Sequence, residues 1–101
     1  MLSFADRAIV PGHVLVRYLD KESVLLNLET ERYFGLDDMG TRIWQVVTAA
    51  PNIDAGFQLL IDEFDVAPER LRANLLDLLS RLIENGLLAV ESANVGTASA
   101  V

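Results

Sequence analysis

Apolar positions alternate with a period of two through the first third of the chain and switch to a period near 3.6 after residue 36. In His13–Leu19, Val14, Val16 and Tyr18 share one face, while Leu15, Arg17 and Leu19 share the other. Ser23–Leu28 sets Val24, Leu26 and Leu28 against Leu25 and Asn27. Arg32–Leu36 sets Arg32, Phe34 and Leu36 against Tyr33 and Gly35. Each segment reads as a strand. The turns between them, Asp20-Lys21-Glu22 and Glu29-Thr30-Glu31, are short, so consecutive strands are antiparallel neighbours in a three-stranded meander. Residues 1–12 are expected to be a lead-in, with Pro11-Gly12 marking where regular structure begins.

Three helices follow. Asp37 is placed to cap the first, which carries Met39, Ile43, Trp44, Val46 and Val47 and stops before Pro51. Gly40 in its first turn is a poor helix former that suits a close backbone approach or is simply tolerated near a helix end. Asn52 caps a second helix, expected to run to about Phe64 with Phe57, Leu60, Ile61 and Phe64 on one stripe. Pro68 suits the first position of a third, running to about Asn85, and Gly86 is a left-handed stop. On that helix Leu71, Leu75, Leu78 and Leu82 fall within about 60° of one another. Adding Leu79, Ile83 and Leu76 widens the apolar sector to roughly 160°, against about 100° for a helix resting on one core surface. Arg70, Asn74, Asp77, Arg81 and Glu84 lie opposite. The excess suits deep burial, a homodimer or a binding groove. Leu87–Val90 either adds a short strand or packs down, and 92–101 is expected to be a disordered tail. The strand-then-helix order predicts an α+β fold in one domain.

Composition narrows the function. The 101 residues carry a net charge of −7, Lys21 is the only lysine, and no basic run exists. Nucleic-acid affinity comes largely from neutralising phosphates, so a winged-helix DNA regulator, the alternative for this element order, is disfavoured. An anionic membrane surface is disfavoured for the same reason. The N-terminal residues show no signal-peptide pattern, no apolar run is long enough to span a membrane, and there is no cysteine, which together suit a cytoplasmic protein. His13, the single histidine, and the scattered carboxylates form no catalytic or metal-binding constellation. No phosphate loop or activated nucleophile is evident, so neither enzyme activity, metal nor cofactor is expected.

A three-stranded sheet cannot cover both of its edges. An exposed edge can accept a peptide as an added strand, with backbone hydrogen bonds giving affinity and side-chain pockets giving selectivity. Glu31–Leu36, the strand entering the helical half, is the candidate edge, beside the helix surface from Leu71 to Leu82.

The stretch SVLLNLETERYFGLDDMGTRIW over residues 23–44, with LLSRLIENGLL over 78–88, resembles the PqqD family across roughly residues 11–90. The shared pattern is an LL strand, a YF.L strand and G..IW opening a helix. The resemblance implies a winged-helix-turn-helix-like fold with a three-stranded antiparallel sheet followed by three helices. Residues 13–91 would form the recognition domain. It also implies a recognition element for ribosomally made, post-translationally modified peptides, which docks the leader of a precursor peptide as a strand on the third strand. Its partners would be that precursor and a modifying enzyme, such as a radical-SAM enzyme or a leader protease. Carried over by position, the peptide-facing residues are Glu31, Arg32, Tyr33, Phe34 and Gly35 on the strand and Leu71, Arg72, Leu75, Leu78 and Leu79 on the helix. Either Tyr33 or the pair Arg32/Phe34 faces the groove. Each leucine is equally suited to the core, and the arginines either pair with acidic leader side chains or are solvated. Asp37 stands where the family often carries Asn, and Glu29-Thr30-Glu31 replaces a PE turn associated with pyrroloquinoline-quinone members. A lasso-type or radical-SAM pathway therefore suits the chain at least as well.

Overall fold

A computed structural model describes residues 2–92; of the tail expected to be disordered, 92–101, all but the first residue lies outside the described residues. The elements are β1 (Arg7–Ile9), β2 (Val14–Leu19), β3 (Glu22–Asn27), β4 (Arg32–Leu36), α1 (Asp38–Ala49), α2 (Ile53–Glu63), α3 (Pro68–Glu84) and β5 (Ala89–Glu91). Strands β2, β3 and β4 form the antiparallel meander in that order. Leu25 pairs with Val16 on one side and Phe34 on the other, so these three share the sheet face turned to the helices.

The helix boundaries follow the local chemistry. Asp37 accepts a hydrogen bond from the Gly40 N–H at 2.8 Å and starts α1. Asn52 accepts from the Ala55 N–H at 2.8 Å and starts α2. Pro68 opens α3, and Gly86 stops it with φ at 69°. A Cβ on Gly86 would lie 2.8 Å from Asn27 Nδ2. Gly86→Ala therefore incurs both a left-handed backbone cost and a clash. It is expected to lose roughly 2 kcal/mol or more in denaturant melts; an unchanged midpoint would contradict this geometry.

The core joins one face of the meander to all three helices through Leu25, Ile43, Trp44, Val47, Leu60, Leu75 and Leu82. Arg42 on α1 grips Glu63 at the end of α2 with three hydrogen bonds of 2.7, 2.8 and 3.0 Å. These bonds hold the Glu63 carboxyl below the ordinary carboxylate range. The resulting stabilisation is present above the unfolded-state pKa and is lost as pH falls through the folded one. Both side chains are substantially exposed, so solvent screening keeps it small.

The lead-in is ordered where no regular structure was expected. Within residues 1–12, β1 pairs antiparallel with β5 through Arg7↔Glu91, Ala8↔Val90 and Ile9↔Ala89. The second of the two readings of Leu87–Val90, simple packing, thus gives way to a short strand at Ala89–Glu91. Upstream, the Phe4 carbonyl accepts from the Asp54 N–H at 2.8 Å, and the Asp6 carbonyl from the Ile53 N–H at 2.9 Å. Phe4 meets Phe57 edge-on with ring centroids 5.2 Å apart. This segment thereby supplies partners for orphan donors at the start of α2.

Candidate functional site

The outer edge of β4 faces a groove of about 460 Å³, within the ~300–1,000 Å³ range of ligand clefts. One side is Phe34, Gly35 and Leu36; the end is Asp37, Met39, Gly40 and Ile43; the far wall is Asn74, Asp77, Leu78 and Arg81 of α3. The sequence locates each wall. Strand alternation turns Phe34 and Leu36 inward, the Asp37 cap brings α1 sharply off β4, and α3 runs past with its polar flank turned to the opening. Asp77 and Arg81 pair along that flank at 3.3 Å, an exposed ion pair one helical turn apart.

The end wall is fixed by buried hydroxyls. Thr41 Oγ1 donates to the Leu36 carbonyl at 3.4 Å, and the Ser23 hydroxyl lies 2.7 Å from Thr41 Oγ1 and donates to it. This ties β3, the end of β4 and the first turn of α1 together. Gly40 sits against that junction: a Cβ there would come within 3.2 Å of Asp37 Oδ1 and 3.3 Å of Leu36 Cδ2. Of the two readings of Gly40, close approach is the one the packing supports.

Hydrogen-bond alternation shows what the edge offers. The Glu31 N–H donates to the Asn27 carbonyl at 2.8 Å, and the Leu28 N–H to the His13 carbonyl at 2.8 Å. In an antiparallel ladder successive residues turn their backbone groups to opposite sides. Asn27, Leu25 and Ser23 therefore bond toward β4, to Arg32, Phe34 and Leu36. The N–H and C=O groups of Tyr33 and Gly35 are left pointing to the outer edge. No strand among the described residues pairs with that edge. The outer edge of β2 is likewise unpaired, but β2 contributes no residue to the groove.

The residues carried over by resemblance divide sharply. Phe34, Gly35 and Leu78 line the groove. Tyr33, 76% exposed, projects from the opposite face of the sheet beside Leu26. The inward set is thus Arg32 and Phe34. Arg32 instead borders a second depression at the other end of β4, with His13, Asn27, Glu29, Thr30, Glu84, Asn85 and Gly86. Glu31 precedes β4 in the turn with φ at 62°. Leu71, Leu75 and Leu79 are 0%, 0% and 1% exposed and belong to the core, so they offer a ligand no surface. Arg72 lies on the other flank of α3, its guanidinium 4.1 Å over the Phe4 ring. One cause places these four away from the groove: the centre of the wide apolar sector points into the protein, and the groove opens where that sector meets the polar flank, at Leu78. Asn74, Asp77 and Arg81, read as the solvent side, form the wall, and Met39, Gly40 and Ile43 join them from α1. Their sequence signal was their adjacency to Leu78 on the helical wheel.

Among the described residues no cluster of histidine or carboxylate side chains could hold a metal ion, and no helix is long and apolar enough to cross a membrane.

A three-stranded meander followed by three helices, with a free strand edge over a cleft, defines a class of small α+β protein. The chain belongs to the PqqD family: the model described as coenzyme PQQ synthesis protein D matches residues 22–88. Among solved structures it is similar to TbiB1 in complex with the TbiA(beta) leader peptide. The two share 31% identity over 79% of this chain and 93% of that one, with a TM-score of 0.74. A lasso peptide synthetase B1 complexed with the leader peptide shares the fold, at 23% identity over 82% and 98% of the two chains and a TM-score of 0.73. No curated protein gives a significant match.

Proposed function

We propose that this protein binds the leader segment of a ribosomally made precursor peptide and presents it to a modifying enzyme, without itself catalysing a reaction. The observation that carries the reading is the unpaired β4 edge lying directly over a cleft with an apolar floor. The free edge of β4, five residues long, extends about 17 Å at ~3.3 Å per residue. The wall of α3 from Asn74 to Arg81 extends about 11 Å at ~1.5 Å per residue. The helix wall is the shorter, so about three residues of an extended guest lie between it and the Phe34–Leu36 stretch of β4. Its backbone would bond to Tyr33 and Gly35, and its inward side chains would meet Phe34, Leu36, Met39, Ile43 and Leu78.

Both solved neighbours hold leader peptides, which supports the same class of ligand here. The net charge of −7 weighs against nucleic acid. Precursor peptides are made in the cytoplasm, where the protein would work. The partner that acts on the delivered peptide would be a leader protease or a radical-SAM enzyme.

The test uses the synthetic leader encoded by the precursor reading frame adjoining this chain's own gene. Tyr33 and Gly35 amides are expected to exchange rapidly with solvent in the free protein and to gain protection of about tenfold or more on binding. If no such leader binds, or if protection appears only away from β4, the reading is wrong.

A further inference from the structure

The far end of the groove is tied by a side chain that the sequence pattern does not single out. Asn27, the last residue of β3, is 3% exposed. Its Oδ1 accepts the backbone N–H groups of Glu29 at 3.0 Å and Thr30 at 3.2 Å, shaping the turn that feeds β4. Its Nδ2 donates to the Asn85 carbonyl at 3.1 Å and the Gly86 carbonyl at 3.5 Å, where α3 ends. Beside it His13 Nε2 lies 2.9 Å from the Gly86 carbonyl. A carbonyl only accepts, so Nε2 carries the hydrogen in that bond. Gly86 admits no side chain at this junction, because a Cβ would lie 2.8 Å from Asn27 Nδ2. Three segments distant in sequence thus meet around one buried amide: the start of β2, the β3–β4 turn and the C-terminus of α3.

The last carbonyls of a helix lack partners within the helix and are commonly satisfied by water or by a cap. Here a side chain from the sheet takes them, so satisfying α3 also fastens it to the sheet. That attachment matters because α3 and β4 are separated by the open groove, where neither can hold the other at a fixed distance. Near the opposite end, the Ser23–Thr41–Leu36 chain ties the sheet to α1. A guest strand must lie about 4.8 Å from β4 while its side chains fit under α3, and a site loosened by even ~1 Å loses much of its complementarity.

We propose that Asn27, assisted by His13, is a positioning residue that sets the spacing between α3 and β4 and so the width of the peptide groove; this rests on the peptide-binding reading above. Asn27 lines the second depression but not the groove, so it acts through α3 rather than by touching the peptide there.

Asn27→Asp isolates the proposed role. An aspartate keeps an acceptor for the Glu29 and Thr30 N–H groups, but sets a second oxygen against the Asn85 and Gly86 carbonyls where the amide donated. The chain has no cysteine, so Leu15→Cys on β2, at an exposed position, and Ser80→Cys allow a pair of spin labels to report the distance between the sheet and α3. In Asn27→Asp that distance is expected to lengthen or its distribution to broaden. Affinity for the adjoining-gene leader is expected to weaken by about tenfold. Phe57→Leu, which loosens the core beside Phe4 and away from the groove, is expected to lower the melting temperature yet leave affinity within about twofold. An unchanged distance in Asn27→Asp, or leader affinity within about twofold of the parent, overturns the proposal. So does an affinity loss in Phe57→Leu equal to that of Asn27→Asp, since binding would then merely track stability. Failure of the parent protein to bind the leader, with the distance still responding, overturns the peptide-binding reading and leaves the tie between β3 and α3 standing.

Discussion

Leu75→Ala is expected to remove about 2–5 kcal/mol of stability and to leave the affinity of the remaining folded protein for its peptide nearly unchanged. Leu75 is fully buried in the core cluster. Truncation forfeits the transfer free energy of three carbons and leaves a cavity that tightly packed neighbours fill only in part. A domain this size holds about 5–15 kcal/mol in total. The melting temperature should therefore fall by roughly 8–40 °C, taking ~4–8 °C per kcal/mol near 100 residues. Calorimetry checks the first half, and peptide titration well below the new midpoint checks the second. A loss of affinity at a temperature where the variant is still folded would return Leu75 to the binding surface.

Leu78→Asp, one helical turn along the same element, is expected to divide its effects the other way. Leu78 packs only partly against the core and presents the rest of its surface to the groove. A carboxylate there meets Phe34 and Ile43 across the cleft and must be desolvated when an apolar guest side chain arrives. Interface anchors of this kind cost about 2 kcal/mol or more when lost, or roughly a 30-fold weaker complex. The melting temperature should fall much less than for Leu75→Ala. Titration calorimetry that found binding within about threefold of the parent would show that the apolar floor does not receive the peptide. The two leucines are chemically identical and lie within about 60° of one another in helical phase, so the pair is a stringent test of where the surface lies.

That contrast also shows what the sequence made legible. Helix boundaries are local chemistry, and Asp37, Asn52, Pro68 and Gly86 announced them because capping and left-handed backbone depend on near neighbours in the chain. The meander was legible because alternation and short polar turns are also local. The ribbon of β1 and β5 was not. Each strand has three residues, too few to display a period, and the partner lies at the other end of the chain. Periodicity measured the width of the apolar sector on α3 but could not orient its centre, which packing against distant elements decides. The choice between Tyr33 and Phe34 had the same origin: the register Leu25↔Phe34 turns Phe34 inward, and one strand alone cannot reveal that. Asn27 was read only as one member of an alternating face. Its position just before Glu29-Thr30 carries a faint signature, since asparagine commonly folds its side chain onto the next turn. Nothing nearby in sequence announces its second attachment, to residues 85 and 86.

The outward N–H and C=O groups of Tyr33 and Gly35 do not distinguish one extended backbone from another. In a concentrated preparation without cargo, the same strip is where two molecules would zip together, so self-association should rise with concentration and subside when cargo is added. The natural guest would then double as the molecule's solubiliser, shielding the feature that makes an empty recognition protein sticky.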